Sequence, residues 1–154
     1  MKNSVKFSTR RLQADKWFIP LILILAFAGF VDATYLTISH FRGTALACTI
    51  SNGCETVTTS AYATLFGLPV ALLGLLFYLT TFILIIAYLD LRKEVFAKII
   101  FWLSLVAVCF SIWFVAVQAF ILDSFCQYCL VSALISALIF GVSFAWHHQA
   151  RIVD

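Results

Sequence analysis

The chain has 154 residues, 64% of them hydrophobic and only 11% charged, with a formal net charge of +3. A chain this short has no water-soluble core large enough to hide so much apolar side chain, so lipid is the solvent its composition fits. Its ten Lys and Arg are divided among tails and loops rather than gathered on one face, which excludes a nucleic-acid-binding surface.

A membrane span needs about 20 apolar residues at about 1.5 Å of rise each. Residues 1–16 form a basic tail with Lys2, Lys6, Arg10, Arg11 and Lys16, and a first span is expected over about 17–40. An outer loop follows to Gly67, then a second span over about 68–89. Arg92, Lys93 and Lys98 mark a basic loop before a third span over about 95–122. The short turn Asp123–Phe125 leads to a fourth span over about 126–146, which His147-His148 ends, and residues 149–154 are a tail carrying Arg151. The expected fold is therefore an all-α integral membrane protein, a four-transmembrane-helix bundle with one membrane domain over 17–148. The first apolar stretch is longer than the core of a signal peptide, and Ala45-Leu46-Ala47 is only a weak cleavage site.

Nine of the ten basic residues fall in the tails and the 90–98 loop, and Arg42 alone falls on the other side. The positive-inside rule then puts both termini in the cytoplasm, and the 41–67 loop and the 123–125 turn outside. The expected location is the bacterial inner membrane, multi-pass, with the outer loops in the periplasm or exterior.

Within the outer loop, Cys48 and Cys54 are separated by five residues that include the turn signal Ser51-Asn52-Gly53. Val57, Ala61, Tyr62, Leu65 and Phe66 then recur at helical spacing, with Glu55, Thr56, Thr58 and Thr59 polar. This pattern predicts a short amphipathic helix over 55–66 that lies on the membrane surface and caps the bundle. Gly67-Leu68-Pro69 breaks the chain, and Pro69 suits the first turn of the second span.

Cys126-Gln127-Tyr128-Cys129 opens the last span. Two thiols at a helix start lie near its positive dipole end and its free N–H groups, which favours the thiolate. With Cys48 and Cys54 on the same outer side, four of the five cysteines cluster at one face of the membrane. That arrangement points to a relay of electrons between thiols and a lipid-soluble quinone. Two structural disulfides in a non-catalytic four-span protein are the rival reading. The small loop closed by a CxxC bridge adds little entropic bracing, which argues against it. A thiolate zinc site fits an oxidising compartment poorly, so no metal is expected. Cys109, mid-span among Val106, Val108, Phe110 and Ile112, reads as a small packing hydrophobe.

An ionisable group inside an apolar span is costly and suggests function. Asp32 lies about two turns before His40, near Thr34 and Tyr35, and is a candidate proton relay. A satisfied structural carboxyl is the plainer reading, and a coupling site in a small transporter a third. Gly74, Ser132, Ala133, Ser136 and Ala137 suit close helix packing.

These elements resemble the vitamin K epoxide reductase family, specifically its stand-alone bacterial homologues, over roughly residues 15–148. The likeness rests on Cys48-x5-Cys54, on Ser60 and the Ser-Ala-Tyr-Ala…Phe-Gly-Leu-Pro stretch at 60–69, and on Cys126-x-x-Cys129 opening the last helix. In DsbB-type oxidases the CxxC precedes the other pair; here it follows. The resemblance implies a bundle around a quinone, ubiquinone or menaquinone, capped by the loop helix. It implies that Cys129 is the thiolate beside the quinone, that Cys126 exchanges disulfides with Cys54, and that Cys48 forms the mixed disulfide with an extracytoplasmic thioredoxin-fold, DsbA-like protein. Ser60 would lie near the quinone carbonyl. Animal members that act on vitamin K epoxide carry a tyrosine one turn after the CxxC, where this chain has Ala133, so epoxide reduction is not carried over. Many bacterial members fuse a thioredoxin-like domain to the C-terminus. This chain ends at Asp154, so its thiol partner is expected to be a separate protein.

Overall fold

The computed structural model describes residues 2–43, 53–65 and 67–153, with side chains for 16–43, 53–65 and 67–149. Cys48 and most of the turn before Gly53 lie outside the described residues, as does Phe66. Four long helices dominate the architecture: α1 (Lys2–Arg42), α3 (Val70–Leu91), α4 (Glu94–Phe120) and α5 (Gln127–Val153). Each contains a stretch long and apolar enough to cross a membrane, over Lys16–Arg42, Val70–Leu91, Glu94–Phe120 and Gln127–Gln149. The chain is thus a multi-pass membrane protein of the expected class.

The helices pack as a ring in the order α1, α3, α4, α5 and back to α1, and the α3–α4 seam is the loosest. Where lipid is as apolar as the core, close van der Waals approach holds helices together. Gly29 on α1 supplies the tightest approach: a Cβ there would overlap the ring of Tyr78 on α3. Gly74 is in ordinary contact, 3.8 Å from the Ala33 Cβ if it carried one. The main core holds Ile22, Ala26, Ala33, Tyr78, Ile85, Ile100 and Ile139. A second cluster of Leu36, Cys54, Val57, Phe114 and Cys126 closes one end of the bundle.

The segment between α1 and α3 differs in detail from the expected helix over 55–66. Helix α2 spans only Cys54–Thr59, a 3-10 turn follows at Ala61–Ala63, and β1 (Thr64–Leu65) pairs antiparallel with β2 (Leu68–Pro69). The helix stops because Ser60 turns extended, with φ −66° and ψ 157°. Its hydroxyl and its N–H both donate to the carbonyl of Val57, at 2.7 and 3.4 Å. Gly67 carries the hairpin at φ +80°, a left-handed conformation that costs glycine little. Leu68 and Pro69 therefore belong to this cap rather than to the second span.

Cys109 also departs from expectation: it is exposed on the outer surface of α4. A helix apolar on every side has no periodicity that separates its lipid face from its packed face.

Candidate functional site

The site is assembled where three segments meet at the end of the bundle closed by α2. Cys54 opens α2 and is disulfide-bonded. It is buried in the same cluster as Cys126, and Cys129 packs against that cluster. Cys126 and Cys129 carry free thiols. The structure therefore brings together three of the four cysteines singled out in the sequence; Cys48 lies outside the described residues.

Glycine makes this approach possible. A Cβ on Gly53 would stand 2.9 Å from both the N and the O of Phe125. The residue before Cys54 thus rests directly on the backbone just before Cys126. In the sequence Gly53 signalled only a turn.

Cys126 occupies the cap position of α5. Its Sγ accepts the N–H of Cys129 at 3.4 Å, and its carbonyl accepts the N–H of Leu130 at 3.0 Å. The hydrogen bond from the helix start falls on Cys126, whereas the sequence reading favoured thiolate at Cys129. Tyr128, between the two, packs its ring on Tyr35 of α1 with centroids 5.2 Å apart.

Cys129 instead faces a cavity of about 330 Å³ between the helices. Most of the wall is apolar: Leu36, Val57, Val70, Phe77, Phe110 and Phe114 are among its residues. Val106 lines it and is itself exposed. Hydroxyls mark another part of the wall. Tyr78 donates to the Ser132 carbonyl at 2.7 Å and lies 2.9 Å from the Ser132 Oγ. Ser111 and Ser136 pair at 2.9 Å across α4 and α5. Cys129, Ser132 and Ser136 all line the cavity from α5 at spacings of three and four residues, which is one helix face.

Ser60 stands outside this wall. It sits between Val57 and Ala63, which do line the cavity, with its hydroxyl bonded to Val57. Asp32 does not line the cavity either. Its Oδ2 is buried without a hydrogen-bond partner among the described residues. Among the described residues no group of three His, Cys, Asp or Glu is placed to hold a metal ion.

Sequence reasoning missed Tyr78, Ser111 and Gln118. Gln118 gave a signal, as a lone amide in an apolar run; Tyr78 and Ser111 gave none. The family model for the vitamin K epoxide reductase family matches residues 20–144. No curated protein matches the chain.

Proposed function

Because the chain belongs to the vitamin K epoxide reductase family, whose members are membrane oxidoreductases with disulfide chemistry, we propose that it is a thiol:quinone oxidoreductase supporting disulfide bond formation. It reoxidises an extracytoplasmic thioredoxin-fold protein and sends the electrons through two cysteine pairs. The observation that carries this reading is one buried cluster holding Cys54 and Cys126, with Cys129 packed against it and lining an apolar cavity.

The cavity suits a quinone. Ligand sites of about 300–1,000 Å³ with apolar walls and a few placed polar groups are typical of small-molecule recognition, and this one offers a thiol and hydroxyls. A quinone held there would supply the acceptor for two electrons and two protons.

The chain's own part runs through sulfur. The reduced partner attacks the Cys48–Cys54 disulfide at Cys48, and resolution of that mixed disulfide releases the oxidised partner. The loop pair is left as two thiols. Cys54 thiolate then attacks Cys126 of the Cys126–Cys129 disulfide, so a Cys54–Cys126 bond forms and Cys129 leaves as thiolate. Cys48 attacks Cys54, re-forming the loop disulfide and freeing Cys126. Cys129 is the sulfur positioned to give up the electron pair, after which Cys126 and Cys129 close again. Asp32 is assigned to proton supply and Ser60 to the mouth of the cavity. The relay faces the periplasm or exterior of a bacterial inner membrane, with both termini in the cytoplasm.

The test is an anaerobic assay in detergent with a short-chain quinone and a reduced thioredoxin-fold protein. Quinone and thiol should disappear in equal amounts with the wild type and not with Cys129→Ser. No quinone loss with any thiol donor would leave the disulfides as structural braces.

A further inference from the structure

Gln118, in the last turn of α4, is the most heavily committed polar residue near the thiols. Its backbone carbonyl accepts the N–H of Ser124 at 3.2 Å. Its side-chain Oε1 accepts the N–H of Cys126 at 2.9 Å. One residue thus ties down both ends of the Ser124–Cys126 segment, in a turn where Asp123 adopts φ +45°. The side chain is fully buried, at 0% exposure. Its Nε2 has no hydrogen-bond partner among the described residues.

A buried donor left unpaired is costly. The acceptor task alone does not require it, so the spare N–H₂ group needs its own account. The neighbourhood supplies one. Gln118 is bonded to Cys126, whose Sγ accepts the N–H of Cys129, while the other buried side chains of its cluster with Cys54, Leu36, Val57 and Phe114, offer sulfur no further donor. During exchange, negative charge passes from Cys54 through Cys126 to Cys129. A fixed dipole in a dry site stabilises such charge without reorganising.

We propose that Gln118 is a positioning residue for the redox pair. Its Oε1 fixes Cys126 for attack by Cys54, and its Nε2 is held in reserve for the charge that develops on sulfur as the Cys126–Cys129 disulfide opens. The step balances as written above: the Cys54–Cys126 bond forms, the Cys126–Cys129 bond breaks, and the electron pair leaves on Cys129. Gln118 neither gains nor loses a covalent bond. This inference rests on the relay reading, and it concerns exchange between the pairs rather than quinone reduction.

The experiment compares wild type with Gln118→Met, which has similar volume and neither donor nor acceptor, and with Gln118→Asn, which keeps the amide but shortens its reach. Three quantities are read: partner-driven turnover, single-turnover oxidation of the prereduced protein by a short-chain quinone, and the equilibrium of the Cys126–Cys129 pair with a dithiol buffer. Partner-driven turnover should fall about tenfold in both variants, while quinone oxidation of the prereduced protein stays within about twofold. Loss of a donor to the reduced sulfurs should make the disulfide harder to reduce by about tenfold, which is ~30 mV for a two-electron couple. A residue that only packs would lower thermal stability and leave this equilibrium unmoved. Wild-type turnover and equilibrium in both variants would overturn the proposal, and so would equal losses in both activities with an unmoved equilibrium. If the wild type itself oxidised no thiol with quinone, the relay reading would fail, and the dithiol equilibrium would still decide the role of Gln118.

Discussion

Asp32 shows how a single residue's chemistry is read differently from sequence and from structure. The sequence flags it because a carboxyl in an apolar span is costly, but Thr34 and Tyr35, its neighbours in the chain, do not satisfy it. Thr34 donates instead to the Phe30 carbonyl at 2.6 Å. The Asp32 Oδ2 stays without a partner among the described residues. An acid that delivers a proton in the rate-determining step contributes about 10²-fold or more. Asp32→Asn should therefore slow single-turnover oxidation of the prereduced protein by quinone at least tenfold. Thiol exchange with the partner should stay near wild type. An unchanged quinone rate would remove Asp32 from proton supply. The cysteines were legible because CxxC spacing constrains chemistry locally. Gln118 and Tyr78 were not, because their roles come from contacts between helices that no spacing encodes.

At the scale of elements, the spans were legible and the cap was only partly so. Apolar length alone finds a transmembrane helix, and all four observed spans differ from the expected ones by only a few residues at their ends. The first helix runs further, from Lys2. The cap failed in detail because six residues of helix, a 3-10 turn and a two-residue hairpin share the apolar spacing of one longer helix. What matters for the relay is how α2 docks, and Gly53 decides that. Its φ is −89°, which alanine adopts without strain, so a methyl group there acts only through contact. That methyl would meet the Phe125 backbone at 2.9 Å and lift Cys54 away from Cys126. Misplacing reacting groups by about 1 Å can cost about 10²-fold. Gly53→Ala should slow partner-driven turnover tenfold or more, while quinone still oxidises the prereduced protein at the wild-type rate. Equal turnover in mutant and wild type would mean that α2 tolerates the shift and that the contact does not set the distance between the pairs.

For the whole molecule, four spans make an even number of crossings, an arrangement that would put both ends of the chain on one side. Helix packing alone does not decide which side that is. Charge breaks the tie. Lys16 precedes the first span, and Arg92, Lys93 and Lys98 flank the α3–α4 junction, against Arg42 alone near the end closed by α2. Basic residues in short loops hold their side in the cytoplasm. The proposed relay needs that same orientation, because its Cys54 would have to meet a partner in a compartment that permits disulfides. Topology reporters test both arguments together. A reporter active only outside the cytoplasm should work when fused after Gly43 and fail when fused after Lys93 or Asp154. A reporter active only in the cytoplasm should give the opposite pattern. The reverse result would place Cys54, Cys126 and the mouth of the cavity in a reducing compartment. Electron flow from an extracytoplasmic thiol partner would then have no entry point, even though the bundle, the cluster of cysteines and the cavity would be unchanged.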